Sequence, residues 1–359
     1  MIITYTAIIV ALFLAMNIGA SGAAASISIA YGSGALPKKK VALLVCGVAI
    51  FLGAVLGGSE VVKTIGSNIV PSSILDEKVV LIILSSAALS LFIANLMGIP
   101  LSTSEITVGS VVGVGVAFKA LFVKNILVIV AFWFIVPIAA FSMALLWGRG
   151  IKLLEKKFPA VKNGKYNKPI TIFVIVVGFL EAFSAGMNNV ANAAGPLVGA
   201  GVVSITTGVW VGGLFIALGA IFLGGRVLQT NGKKITSFSL LEGGAISSTG
   251  AILVILASVF GLPVPLTQVT STAIIGIGFA QRGKVIFQQS IINKILKVWV
   301  VSPILSLVLS YGLVKIFVDT DIYTVVVLFS VSIATLGTLS LANTIKKENR
   351  TYFENSGGI

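Results

Sequence analysis

The chain has 359 residues, of which 57% are hydrophobic and only 10% are Asp, Glu, Lys or Arg, a balance that no soluble core calls for. Its net charge of +14 comes from Lys and Arg in short segments between apolar runs, which is the mark of membrane topology and argues against nucleic acid as a partner. Histidine is absent and Cys46 is the single cysteine, so disulfide frameworks, zinc sites, Ser-His-Asp triads and histidine proton relays are excluded, no cofactor or metal is expected, and no enzyme class is indicated.

Uncharged stretches occupy residues 1–37, 41–59, 79–104, 125–148, 182–225, 243–281, 298–314 and 322–345. One crossing of the hydrocarbon core takes about 20 residues, so several of these hold one helix and the longest hold two. Lipid offers the backbone no hydrogen bonds, and these runs are continuously apolar instead of alternating, so helices are expected and not a barrel. The expectation is an all-α polytopic protein of the cell membrane with roughly ten to twelve membrane segments. Met1 to Met16 lacks a basic start and runs directly into a motif, which argues against a cleaved leader.

Along the chain, three blocks recur. Gly19 to Ala25 is followed 167 residues later by Gly186-Met187-Asn188-Asn189-Val190-Ala191-Asn192. Gly53 to Glu60, then Thr64 and Gly66, recurs at an offset of 166 as Gly219 to Arg226, then Thr230 and Gly232. Gly98-Ile99-Pro100-Leu101 recurs at 163 as Gly261-Leu262-Pro263-Val264. Between the copies lies a basic loop, residues 149–168, with Arg149, Lys152, Lys156, Lys157, Lys162, Lys165 and Lys168 against Glu155 alone. The chain therefore divides into a first repeat, 1–148, a cytoplasmic loop, 149–168, and a second repeat, 169–359.

Lys38, Lys39 and Lys40 correspond to uncharged Ile205, Thr206 and Thr207, while Lys233 and Lys234 correspond to Ser67 and Asn68. Equivalent loops thus fall on opposite sides of the membrane, which makes the repeat inverted. The basic tail residues Lys346, Lys347 and Arg350 run against the external C-terminus that this topology gives.

Inverted-repeat transporters bind substrate near the midplane, where broken helices aim their N-termini at an anion. Ser102, Thr103 and Ser104 follow Pro100, and Thr267 follows Pro265, so each block reads as a re-entrant hairpin whose hydroxyls open a helix. Asn188, Asn189 and Asn192 sit in a run otherwise rich in Ala, Gly and Val, where buried amides need a polar ligand or partner; hydrogen bonding between helices is the alternative. Glu105, Glu181, Glu60 and Glu242 lie in or beside apolar sequence, where a carboxylate is a functional candidate by default; Glu60 and Glu242 also read as segment ends or as partners of Lys63 and Arg226, and Glu105 stands out because it follows Ser102-Thr103-Ser104. A channel would use the same hydroxyls and helix ends, but the repeated broken helices favour alternating access.

These residues resemble the inorganic phosphate transporters, whose paired signature reads roughly G-A-N-D-V-A-N and whose hairpins carry P-x-S-T-[TS]. The resemblance covers nearly the whole chain and implies an inverted-repeat fold, an oxyanion substrate, ion coupling and a possible homodimer. It also marks departures. The acidic signature positions are Gly22 and Asn189 here, the first-half asparagines are Ser21 and Ala25, and the positions after the hydroxyls, often His in the family, are Glu105 and Gln268. Phosphate near neutral pH can donate its proton to a carboxylate, whereas sulfate only accepts and is repelled by one. Amides and hydroxyls without Asp therefore suit sulfate better than phosphate. Losing both carboxylates also removes the best sodium ligands, which favours a proton as coupling ion. The chain thus resembles the sulfate-permease branch of the family, with Ser21, Gly22, Ser102, Thr103, Ser104, Asn188, Asn189, Asn192 and Thr267 expected at the anion and Glu105, Glu181 and Gln268 expected in coupling.

Overall fold

Apolar runs become helices throughout the computed structural model, which describes residues 1–96, 102–159, 166–235, 238–283, 290–324, 326–327 and 330–331. The first-hairpin turn at Gly98 to Leu101, the middle of the basic loop and the basic tail lie outside these residues. In the first half of the chain, α1 (Ile2–Ile18) runs through one wide turn, Gly19–Ala23, into two short pieces, α2 (Ala24–Ser26) and α3 (Ser28–Gly32). Then come α4 (Lys39–Gly57), α5 (Ser59–Ser67), α6 (Glu77–Leu96), α7 (Thr103–Ala117) and the 35-residue α8 (Val123–Lys157). The second half has α9 (Asn167–Gly199), α10 (Ile205–Leu223), α11 (Gly225–Ile235), α12 (Leu240–Val259), α13 (Leu266–Arg282) and α14 (Ser290–Phe317). Among the described residues, six helices are long and apolar enough to cross a membrane, and the chain is a multi-pass membrane protein.

Helix boundaries follow the repeat. Both ends of α4 reappear 166 residues later as the ends of α10, both ends of α6 reappear 163 later as those of α12, and α3 ends 167 before α9. The copies differ at the signature: α1 to α3 is interrupted, whereas α9 is a single 33-residue helix. Gly186 packs against the backbone of Ile50 within α9, and Pro196 is accommodated inside the helix at the cost of the amide that would reach the Asn192 carbonyl.

Packing shows how the copies are related. A side chain at Gly53 would strike the Phe183 carbonyl, and at Gly219 the Met16 carbonyl; at Gly19 it would strike Ile216, and at Gly186 Ile50; at Gly66 it would meet Gly199, and at Gly32 Gly232. In each pair the second contact is the first with the two halves exchanged. Such reciprocity is the signature of a two-fold axis, here an approximate one within a single chain. A residue touching its own counterpart must straddle that axis, and Gln268 Nε2, which donates to Glu105 Oε1, lies 163 positions from it.

The tip of the second hairpin joins α12 to α13 inside protein. Gly261 takes φ +69 there, with Thr64 and the Glu60 carbonyl against it, Val264 is fully buried, and Trp133 Nε1 of α8 donates to the Pro263 carbonyl at 2.9 Å. Irregular backbone at membrane depth is tolerated when protein covers it in this way. The unit Met1–Ser310 contains all of these features; the second unit, from Tyr311, has its own polar contacts, Lys315 to Asp319 and Thr324 Oγ1 to Asp321, both at 2.6 Å.

Because the crossings are reciprocal, Gly53→Ala and Gly219→Ala are expected to lower the thermal-unfolding midpoint in detergent by similar amounts, each costing about 1–3 kcal/mol as overpacking does. Gly150→Ala, where nothing lies within 4 Å of the new methyl, is expected to leave the midpoint unchanged or raise it. Differential scanning fluorimetry on the three variants checks this.

Candidate anion site

Helix α7 opens within the hydroxyl motif. Ser102 is its N-cap, in extended conformation, and its side chain accepts from the Glu105 amide at 3.5 Å. The amides of Thr103 and Ser104 belong to the first turn and have no acceptor within the helix, so this end carries partial positive charge. Ser102, Ser104 and Glu105 are at most 4% exposed and Thr103 is 9% exposed.

Helix α9 brings its three amides to that helix start. Thr103 Oγ1 donates to Asn189 Oδ1 at 2.9 Å and Ser104 Oγ to Asn188 Oδ1 at 3.1 Å. Asn192 Nδ2 reaches the hydroxyls of Thr103 and Ser104 at 3.4 and 3.5 Å and Asn189 Oδ1 at 3.2 Å. Asn188 Nδ2 turns to the second hairpin, donating to Ser258 Oγ at 3.2 Å and to the Leu262 carbonyl at 3.1 Å. Asn188 therefore ties the first hairpin's helix to the second hairpin's tip. Two atoms of this buried cluster have no partner among the described residues: the donor Asn189 Nδ2 and the acceptor Asn192 Oδ1. Buried polar atoms without partners are costly, so each is open to a ligand.

Among the described residues, no hydrogen bond in this cluster involves a Lys, an Arg or a carboxylate side chain. An anion placed here would meet dipoles alone: hydroxyls, amides and the α7 N-terminus.

The remaining predicted residues are distributed differently. Ser21, Gly22 and Thr267 are only partly buried. Ser21 Oγ returns to the Asn17 carbonyl at 2.8 Å, and the space beside Gly22 is open, with nothing within 4 Å of an added Cβ. Under the repeat, Ser21 and Thr267 are the counterparts of Asn188 and Ser104, so one half-site is sealed and hydrogen-bonded while its counterpart is partly exposed. Glu105 and Gln268 pair on the axis, leaving Glu105 Oε2 and Gln268 Oε1 unpartnered. Glu181 lies two turns before Asn188 on α9, fully buried, with Oε1 accepting from Thr270 Oγ1 at 3.1 Å and Oε2 unpartnered; it shares no recorded hydrogen bond with the asparagine cluster.

Sequence reasoning missed Ser258, Thr270 and Trp133. Thr270 carried a usable signal, since it follows Gln268 by two positions on a predicted hairpin helix. Ser258 and Trp133 carried none, because their roles come from helices distant in sequence.

Asn188→Ala strands the Ser104 and Ser258 hydroxyls and the Leu262 carbonyl together. The expected outcome is at least a tenfold loss of oxyanion affinity, in line with about 1–3 kcal/mol for each buried group left unpaired, together with a lower unfolding midpoint. Equilibrium binding of labelled oxyanion to purified protein, read beside the midpoint, measures both.

Comparison with known proteins agrees with this architecture. The phosphate transporter family matches residues 18–310. The sulfate permease CysP of Bacillus subtilis (strain 168) is 56% identical over 353 residues, covering 98% of this chain and 99% of that protein. A putative phosphate permease of Thermococcus kodakarensis, TK2061, is 30% identical, with coverage of 86% and 96%. Among solved structures, "The sodium-dependent phosphate transporter" superposes with a TM-score of 0.76 at 26% identity, covering 88% of this chain and 99% of that one. The chain belongs to the phosphate transporter family.

Proposed function

We propose that the protein is a secondary active transporter of the cell membrane that imports sulfate together with protons. The observation that carries the substrate is Asn189. Where the family resemblance sets an acid, this chain offers an amide whose Nδ2 is a buried donor without a partner. Sulfate is an acceptor on all four oxygens and fits a donor-rich, carboxylate-free cluster. The sulfate permease that shares 56% identity with this chain supports the same reading.

Coupling to protons is proposed over sodium because the acidic signature positions are Gly22 and Asn189. Glu105 is the proposed carrier: it is buried, lies on the approximate axis between the repeats, and has one carboxyl oxygen free. Alternating access by two inverted repeats follows from the opposed charges of their equivalent loops. Homodimer formation stays with the resemblance that implied it.

One observation favours a second reading. Asn192 Oδ1 is an acceptor without a partner, which suits a protonated oxyanion such as phosphate.

In proteoliposomes, labelled sulfate is expected to accumulate and to be displaced by unlabelled sulfate well before phosphate. Preferential displacement by phosphate overturns the sulfate assignment in favour of the second reading. Asn189→Asp is expected to weaken sulfate binding at least tenfold, since a like charge is placed against the anion. Glu105→Gln is expected to abolish accumulation driven by a pH gradient while leaving equilibrium sulfate binding within about twofold, the size of a neutral site change. Persistent pH-driven accumulation would remove Glu105 from the coupling role and move attention to Glu181.

A further inference from the structure

Helices α7 and α14 pack through a ladder of small residues. A side chain at Gly109 would strike Ser306 Oγ and the Pro303 carbonyl, and a side chain at Gly113 would strike Ser310 Oγ and the Leu307 carbonyl. Both series step by four residues in the same direction, so the helices run parallel, and close approach of small residues is what holds such pairs together in lipid. One turn towards the N-terminus, the next rung sets the Ser302 side chain within reach of the Glu105 carboxyl.

That rung differs from the other two. Ser306 and Ser310 spend their hydroxyls on their own helix, at the Pro303 and Leu307 carbonyls, each at 3.1 Å. Ser302 is fully buried, yet its Oγ has no partner. Across the rung, Glu105 Oε2 is also buried and unpartnered, while Oε1 is taken by Gln268 of α13. Two orphans thus face each other at the one place in the ladder where a titratable group stands. Around Glu105, the described side chains of α6, α9, α13 and α14 present no other titratable group within hydrogen-bond reach; Glu181 of α9 is tied to Thr270 instead.

We propose that Ser302 is a positioning residue for the Glu105 carboxyl, holding Oε2 from α14 while Gln268 holds Oε1 from α13. This rests on Glu105 being the coupling carboxyl. The two partners are chemically unequal. The Gln268 amide nitrogen only donates, so Oε1 serves as an acceptor and the proton is carried on Oε2. A serine hydroxyl both donates and accepts. Ser302 therefore donates to Oε2 when the carboxylate is charged and accepts from it once Oε2 carries the proton, so the carboxyl keeps its place through both halves of the cycle. The close approaches at Gly109 and Gly113 fix the register that sets Ser302 opposite Glu105.

The test compares Ser302→Ala, Ser302→Thr and Ser306→Ala with Glu105→Gln in proteoliposomes, using labelled sulfate and an imposed pH gradient. Ser302→Ala is expected to lower pH-driven accumulation about tenfold, the scale of one hydrogen bond to a charged group, with equilibrium sulfate binding unchanged. Ser302→Thr, which keeps the hydroxyl, restores accumulation. Ser306→Ala removes a hydroxyl from the same ladder without reaching Glu105 and leaves accumulation intact. The infrared carboxyl stretch lost in Glu105→Gln is expected to shift to higher frequency in Ser302→Ala, as it does when a carboxyl loses a hydrogen bond. If Ser302→Ala accumulates sulfate normally with an unshifted band while Glu105→Gln does not accumulate it, the inference about Ser302 fails and the role of Glu105 stands. If Glu105→Gln itself accumulates sulfate normally, the underlying coupling reading fails.

Discussion

Close backbone crossing at glycine is the constraint on which this structure depends. The carbonyls of Phe183 and Met16 occupy the space that side chains at Gly53 and Gly219 would need, and the Gly19 and Gly186 crossings repeat the arrangement with Ile216 and Ile50. In lipid there is little hydrophobic drive between helices, so dispersion at short range has to hold them, and only residues without side chains allow it. Each half supplies glycines to the other, so neither repeat completes its packing alone. The two hairpins and the signature helices take their positions from this interlocked core.

On that scaffold the chemistry is unequal. Symmetry brings Glu105 and Gln268 face to face, where two identical carboxylates would repel each other and two amides would carry no proton. The asparagines cluster on α9 and the hydroxyls on α7, so donors and acceptors complement each other across the interface, while the counterpart positions, Ser21, Gly22 and Thr267, remain partly exposed. The wide turn at Gly19–Ala23 appears only in the first half. The asparagine half is sealed by its own hydrogen bonds, and those bonds must exchange for contacts to an anion if one enters.

How much of this was legible in the sequence differs from feature to feature. Helical spans follow from the length of the apolar runs, because lipid permits little else. The offsets of 167, 166 and 163 located the equivalent helices, and charge placement suggested their opposed orientation. The hydroxyl motif and asparagine cluster were visible as polar residues stranded in apolar sequence. That α9 runs unbroken while the first-half signature is interrupted was not visible, because both copies are runs of small residues with no local signal that separates them. Ser258, Trp133 and Ser302 were likewise hidden, since serine and tryptophan in apolar helices are common and only their neighbours give them a part.

By itself, the sequence determined the membrane environment, the helical class, the internal repeat and the chemical types present at the candidate anion site. Each of these depends on local composition or on comparison along the chain. The tertiary structure decided which residues meet: Asn188 with both hairpins, Gln268 with Glu105, and Gly109 and Gly113 with the α14 serines. Those meetings join positions on helices far apart in the chain, and they are set by helix crossings whose register is fixed by close packing, which no local pattern encodes.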